Sequence, residues 1–312
     1  MIAYAVALDG RLAILRADYD VLGHKQRVTR KDGGWASFDV PPETCGSISL
    51  FDGVEEREQV RFPLVHYSYC QFDRLTDGSW IVAGYGGDEE ISRAGQRIRP
   101  DGSCQRFEIG WDIDSLQTDP DGGFWVGYGD IACLTGTGVE SGGVVKFSAR
   151  CEPTWSFNHD ARMKRHRVDT AEALNVSREG AYGYIWPGFG LARLDSARTR
   201  VWRSRTEYAE AFAASDGRFL LMGGYSYDNL AERQRLVLLD KPSVPNSRRL
   251  RRVWTAEVVR PPEEKEQLLV GRGDCLHRVA NGQWQRLTID EAISQIDVSH
   301  DKPAVVTRAP PT

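Results

Sequence analysis

The 312 residues are 41% apolar and 27% charged, an ordinary globular mix with enough apolar matter for a sizeable core. A net charge of −4 argues against a broad nucleic-acid or anionic-membrane surface but leaves room for a local basic patch. No apolar run approaches ~18 residues, no leader-like segment opens the sequence, and Cys45, Cys70, Cys104, Cys133, Cys151 and Cys275 include no C-x-x-C pair. A membrane span, a secretory signal, a zinc ribbon and a thioredoxin motif are therefore not expected. The expectation is a monomer with reduced thiols in the cytoplasm.

Taken in order, the chain reads as repeated hairpins. Ile2 to Ala7 and Arg11 to Arg16 turn at Asp9-Gly10 and read as an outer pair. An inner pair turning at Lys31-Asp-Gly-Gly34 and ending in Trp35 to Val40 follows, then an outer pair, Ser47 to Phe51 and Arg57 to Phe62. The next units turn at Asp77-Gly78, Asp121-Gly122, Glu179-Gly180 and Asp216-Gly217. A sixth unit runs from Ala256 to Leu287, with Asn281-Gly282 as a hairpin turn. Gln295 to Ser299 and Ala304 to Thr307 read as a last inner pair.

The same phrase recurs at the inner turns. Asp77-Gly-Ser-Trp-Ile-Val-Ala-Gly84, Asp119-Pro-Asp-Gly-Gly-Phe-Trp-Val-Gly127 and Asp216-Gly-Arg-Phe-Leu-Leu-Met-Gly223 each give a turn, a short apolar strand and a glycine. A repeat period of ~40 residues predicts a propeller or solenoid. Seven inner and seven outer pairs, with half a sheet at each terminus, predict one all-β domain over 1–312. That domain is a seven-bladed β-propeller closed by N-terminal outer strands pairing with C-terminal inner strands.

The phrase at 119–127, with Gly142-Gly-Val-Val-Lys-Phe147 after it, resembles the propeller repeats of bacterial two-component-regulator sensors. It is also similar to the wider group of gluconolactonase/regucalcin proteins and virginiamycin B lyases. The resemblance implies the blade. The Glu-Gly-Pro opening of gluconolactonase first blades is missing, and no catalytic residue carries over.

Resemblance to enzymatic propellers puts a site on the face where chains enter the inner strands. Residues expected at those entries include Gln71, Asp114, Glu172, Glu210, Glu257 and Asp297. Crowded carboxylates take up protons, cations or arginine partners. Asp114, Glu257 and Asp297 are the candidate Ca²⁺ ligands, calcium wanting about six to eight oxygens. Glu172 and Glu210, with His66 or His166, are the candidate acid/base groups. Equally, each carboxylate is a solvated residue beside a turn. Tyr69, Tyr85, Tyr128, Phe189, Tyr225 and Arg272 are candidate ligand contacts near the strand ends, or simply cover the blade tops.

The loop from His159 to Arg167 is basic, and reads either as a clamp for an anionic group or as a solvated charged loop. No H-E-x-x-H, G-x-S-x-G or phosphate-loop motif occurs. The expected function is binding of a small polar ligand in a central pocket, with hydrolase, lyase or isomerase chemistry by the carboxylates. The alternatives are a non-catalytic protein or peptide platform and a lectin-like binder.

Overall fold

A computed structural model describes residues 3–18, 44–65, 68–85, 89–195, 197–204, 206–223, 233–241, 249–259 and 266–298. The chain divides into two compact units, 1–159 and 160–312. In the first unit, one sheet holds β1 (Ala3–Val6), β2 (Leu12–Ala17), β3 (Cys45–Phe51) and β4 (Glu56–Pro63) in that order. The next holds β5 (Ser68–Arg74), β6 (Trp80–Tyr85), β7 (Ala94–Ile98) and β8 (Cys104–Glu108), with helix α1 (Glu89–Arg93) between β6 and β7. The third holds β9 (Ile113–Thr118), β10 (Phe124–Tyr128), β11 (Val144–Phe147) and β12 (Pro153–Ser156), with α2 (Asp130–Thr135) after β10.

The second unit repeats the plan. Its first sheet is β13 (Thr170–Ser177), β14 (Gly180–Trp186), β15 (Gly190–Leu194) and β16 (Arg200–Arg203). Its second is β17 (Ala209–Ser215), β18 (Arg218–Gly223), β19 (Arg233–Asp240) and β20 (Arg251–Val259). Its third has three strands among the described residues, β21 (Glu266–Arg272), β22 (Cys275–Ala280) and β23 (Gln283–Thr288), followed by α3 (Ile289–Val298). The first strands of successive sheets lie side by side, β1 by β5 by β9 in one unit, and β13, β17 and β21 in the other. This is the blade pattern of a β-propeller, with six blades among the described residues.

Side-chain alternation explains why the recurring apolar strand has no polar face. In β6, Trp80 and Val82 enter a core shared with the first sheet, while Ile81 and Ala83 enter a core shared with the third. In β18, Phe219 and Leu221 point into one core and Leu220 and Met222 into another. Successive strand residues face opposite ways, so a strand between two cores must be apolar throughout. The turns before these strands need left-handed backbone: Gly78 and Gly122 have φ of 86° and 88°. Asp77 then accepts from the Ser79 N–H at 2.9 Å.

The expected count of seven is overturned. The opening hairpin is not an outer pair awaiting the C-terminus; β2 pairs directly with β3, Leu12 opposite Phe51, and completes the first sheet. Arg252-Val-Trp254 and Ala256 to Val259 are not strands of two blades but one continuous strand, β20. No Gly, Pro, Asn or Asp stands between them to break it. Residues 295–298, expected in an inner strand, belong to helix α3. The Glu291 carboxylate accepts from the Thr288 N–H (2.7 Å) and hydroxyl (2.9 Å), and the Thr288 hydroxyl accepts from the Glu291 N–H. That reciprocal cap starts a helix. The strands expected at 35–40 and 304–307 lie outside the described residues.

Candidate functional site: a basic groove on the fourth blade

The acidic positions are set by a recurring irregularity of the innermost strands. In β9, Ile113 pairs with Tyr128 and Ser115 with Gly127, leaving Asp114 as the extra residue of a bulge. Glu172 is the extra residue between Ala171 and Ala173, and Glu210 between Ala209 and Ala211. Gln267 holds the same place in β21. Bulges re-aim side chains and mark functional rims. Asp114 and Glu210 are exposed, and Glu172 is half-buried. Glu257 is elsewhere, on the outermost strand of its sheet opposite Arg235, and Asp297 is in α3. Among the described residues no three His, Cys, Asp or Glu side chains gather to hold a metal.

The aromatic positions divide between core and rim. Tyr128 is fully buried and donates its hydroxyl to the Ile109 carbonyl, and burial raises its phenol well above the ordinary range. Phe189 has φ 49° and packs on Tyr184 and Tyr208, with ring centroids 6.1 and 4.9 Å away. Arg272 is buried at the end of β21, and Gln71 pairs with Ala83 in β5. Tyr69 and Tyr85 lie in β5 and β6. His66 and Tyr225 lie outside the described residues.

A buried polar contact joins the inner strands of the second unit. The Asn175 amide nitrogen donates to the Phe212 and Gly273 carbonyls at 2.8 and 2.9 Å, and its oxygen accepts from the Gly273 N–H at 3.0 Å. Gly271 allows the close approach, since a Cβ there would lie 1.6 Å from the Phe212 oxygen.

Among the described residues of this unit, a groove of about 760 Å³ opens on the fourth blade. One wall is the basic loop, with Lys164, Arg165, His166 and Arg167. Its shape follows from its anchors. Asp160 caps a short turn by accepting from the Arg162 N–H at 2.9 Å, Met163 and Val168 are buried, and the His166 N–H donates to the Met163 carbonyl at 2.7 Å. Pinned at both ends, the loop presents Lys164, Arg165 and Arg167 to solvent. Arg167 reaches Asp169 at 3.6 Å. The Asp169 N–H donates to the Trp186 carbonyl at 2.8 Å and joins the loop to β14.

The opposite wall carries Arg203, at the end of β16, and Arg249. The chain before β20 docks beside β16 through a parallel bridge between these arginines, with the Leu250 N–H donating to the Arg203 carbonyl at 3.1 Å. Ile185, Gly190 and Val201 make an apolar floor, and Pro187-Gly188 turns at its end. Among the described residues no Asp or Glu lines the groove. Among the described residues Lys164, Arg165 and Arg203 form no ion pair. Like charges held side by side repel, and an anion relieves that cost. His166, expected as an acid/base group, lies on the wall of this basic groove. The arginine-rich stretch 248–252 supplies Arg249 to the groove.

No family model and no curated protein matches this sequence. Solved structures do. A functionally unknown protein from Desulfotomaculum acetoxidans is 9% identical, with 93% of this chain and 82% of that one aligned at a TM-score of 0.51. Virginiamycin B lyase from Staphylococcus aureus, bound to quinupristin, is 11% identical over 92% and 94% of the two chains, at 0.46. The extracellular domain of a one-component system from B. thetaiotaomicron is 9% identical over 91% of this chain and 33% of that one, at 0.46. At 9% identity the likeness to the Desulfotomaculum acetoxidans protein concerns the fold alone.

Proposed function

We propose that this chain is a ligand-binding propeller whose fourth blade takes a small anionic molecule. The observation that carries this reading is a groove with basic side chains on both walls, an apolar floor and, among the described residues, no acidic side chain in its lining. Arginine suits the task because its planar fork meets carboxylate or phosphate oxygens two at a time. Each such charge-assisted hydrogen bond contributes about 1.5–3 kcal/mol. All six cysteines are free, which supports a reducing compartment such as the cytoplasm.

Calorimetric titration with pyrophosphate tests the reading. Binding should weaken as salt rises, because exposed charges are screened within about 10 Å at 0.1 M. Arg165→Ala and Arg203→Ala should each weaken it by about tenfold. Absent binding, or binding indifferent to both replacements, would refute the proposal.

A second reading, hydrolase, lyase or isomerase chemistry, is supported by the recurrence of Asp114, Glu172 and Glu210 at equivalent bulges. It requires an activity, found by screening lactones and esters, that Glu172→Gln or Glu210→Gln abolishes. An activity that survives both replacements would refute it.

A further inference from the structure

We infer that the groove takes an elongated dianion, with two anionic ends about 10 Å apart and an apolar spacer between them. This inference rests on the groove being an anion site, as proposed above.

The geometry comes from strand register. Ile185 pairs with Gly190, Gly190 pairs with Arg203, and Arg203 bridges to Arg249. These positions form one row across the sheet, each step about 4.8 Å. Arg203 is two steps from Ile185, or about 10 Å, and Arg249 three, or about 14 Å. The basic loop joins at the other end, because the Asp169 N–H donates to the carbonyl of Trp186, the residue after Ile185. Positive charge therefore stands at both ends of the row, and the middle is hydrocarbon.

Gly190 keeps that middle open. It is not among the glycines with positive φ, so the backbone does not demand it. A Cβ there would meet Val201 Cγ1 at 3.1 Å, the Trp202 carbonyl oxygen at 3.4 Å and Ile185 Cγ1 at 3.7 Å, and Val201 and Ile185 are on the groove floor. A longer side chain would occupy the space where the spacer lies. A compact anion can satisfy one pole at a time, and a monoanion with a long tail brings no charge to Arg203. A dianion of matching length engages both poles and buries its methylenes at about 0.8 kcal/mol each.

The test is calorimetry at low ionic strength with four probes: suberate, succinate, octanoate and pyrophosphate. Suberate should bind at least about tenfold tighter than octanoate or succinate, one matched charge being worth that factor. The double replacement R203Q/R249Q should reduce suberate to the level of octanoate. Both arginines are exposed, so this variant should fold, which circular dichroism verifies. Gly190→Leu should weaken suberate by about tenfold and leave pyrophosphate nearly unchanged. If succinate or pyrophosphate equals suberate, or octanoate matches it, the dianion is wrong and the anion site stands. If no probe binds in an Arg165- or Arg203-dependent way, both readings fall. Should Gly190→Leu misfold, the arginine pair alone decides.

Discussion

Replacing Asn175 tests how the inner strands of the second unit are held. Its side chain is fully buried and makes three hydrogen bonds, at 2.8, 2.9 and 3.0 Å, to the backbone of Phe212 and Gly273. At about 1 kcal/mol net for each, Asn175→Ala removes about 3 kcal/mol. The Gly273 carbonyl keeps the Ala214 N–H as a donor at 2.7 Å, which limits the loss, so the expected range is about 2–4 kcal/mol. For a cooperative unit of this size that is a fall in Tm of roughly 4–16 °C. Asn175→Asp should be worse at neutral pH, because a carboxylate has no N–H to give and faces two carbonyls. Differential scanning calorimetry gives the shift, and hydrogen exchange should show the Gly273 amide losing protection. A melting loss below about 2 °C for Asn175→Ala, or an Asn175→Asp protein as stable as the parent at pH 7, would refute the reasoning.

Further outcomes concern His277, the α3 cap and the cysteines. Burial pushes the His277 imidazole down from 6.5 to about 4. The unfolded chain therefore takes up a proton that the folded one refuses between those values. Stability from this residue is full above pH 6.5, falls by about 3 kcal/mol as pH drops to 4, and is flat below. His277→Phe should lose that segment of the pH–stability curve, so the urea-derived stability of the parent should fall by about 3 kcal/mol relative to the variant between pH 6.5 and 4; a difference that does not change with pH counts against it. Thr288→Ala and Glu291→Ala should each cost about 1 kcal/mol, and the double variant less than their sum, because they share one cap; full additivity in chemical denaturation would contradict this. In native iodoacetamide labelling the exposed Cys45 and Cys104 should react first. Cys151 and Cys275 are buried with thiols pushed up to about 11, and equal labelling of Cys275 and Cys104 would contradict the burial.

The blade could be read in the chain because it is local. Asp77-Gly78 and Asp216-Gly217 carry a turn that only certain residues adopt, and the strand after each is apolar on both faces. The basic loop was likewise visible as a run of charge. The bulge positions of Asp114, Glu172 and Glu210 were close to legible, since the repeated Ala-Glu-Ala words mark equivalent places in β13 and β17. The start of α3 is written in the sequence as Thr288-x-x-Glu291, with Ile289, Ala292 and Ile293 at helical spacing after it.

The number of blades depended on partners, not on patterns. Whether the first hairpin pairs with the C-terminus or with Cys45 to Phe51 is a choice between remote strands that present similar hydrogen-bonding edges. The groove has the same origin. Nothing near Arg203 in the sequence announces Arg249, yet docking of the β20 approach beside β16 places the two side by side. Repeated turn and strand chemistry is encoded residue by residue, so the sequence alone determined the kind of fold. Which edges meet, and so which charges face one cavity, is decided by long-range burial and backbone pairing, and these exist only in the folded chain.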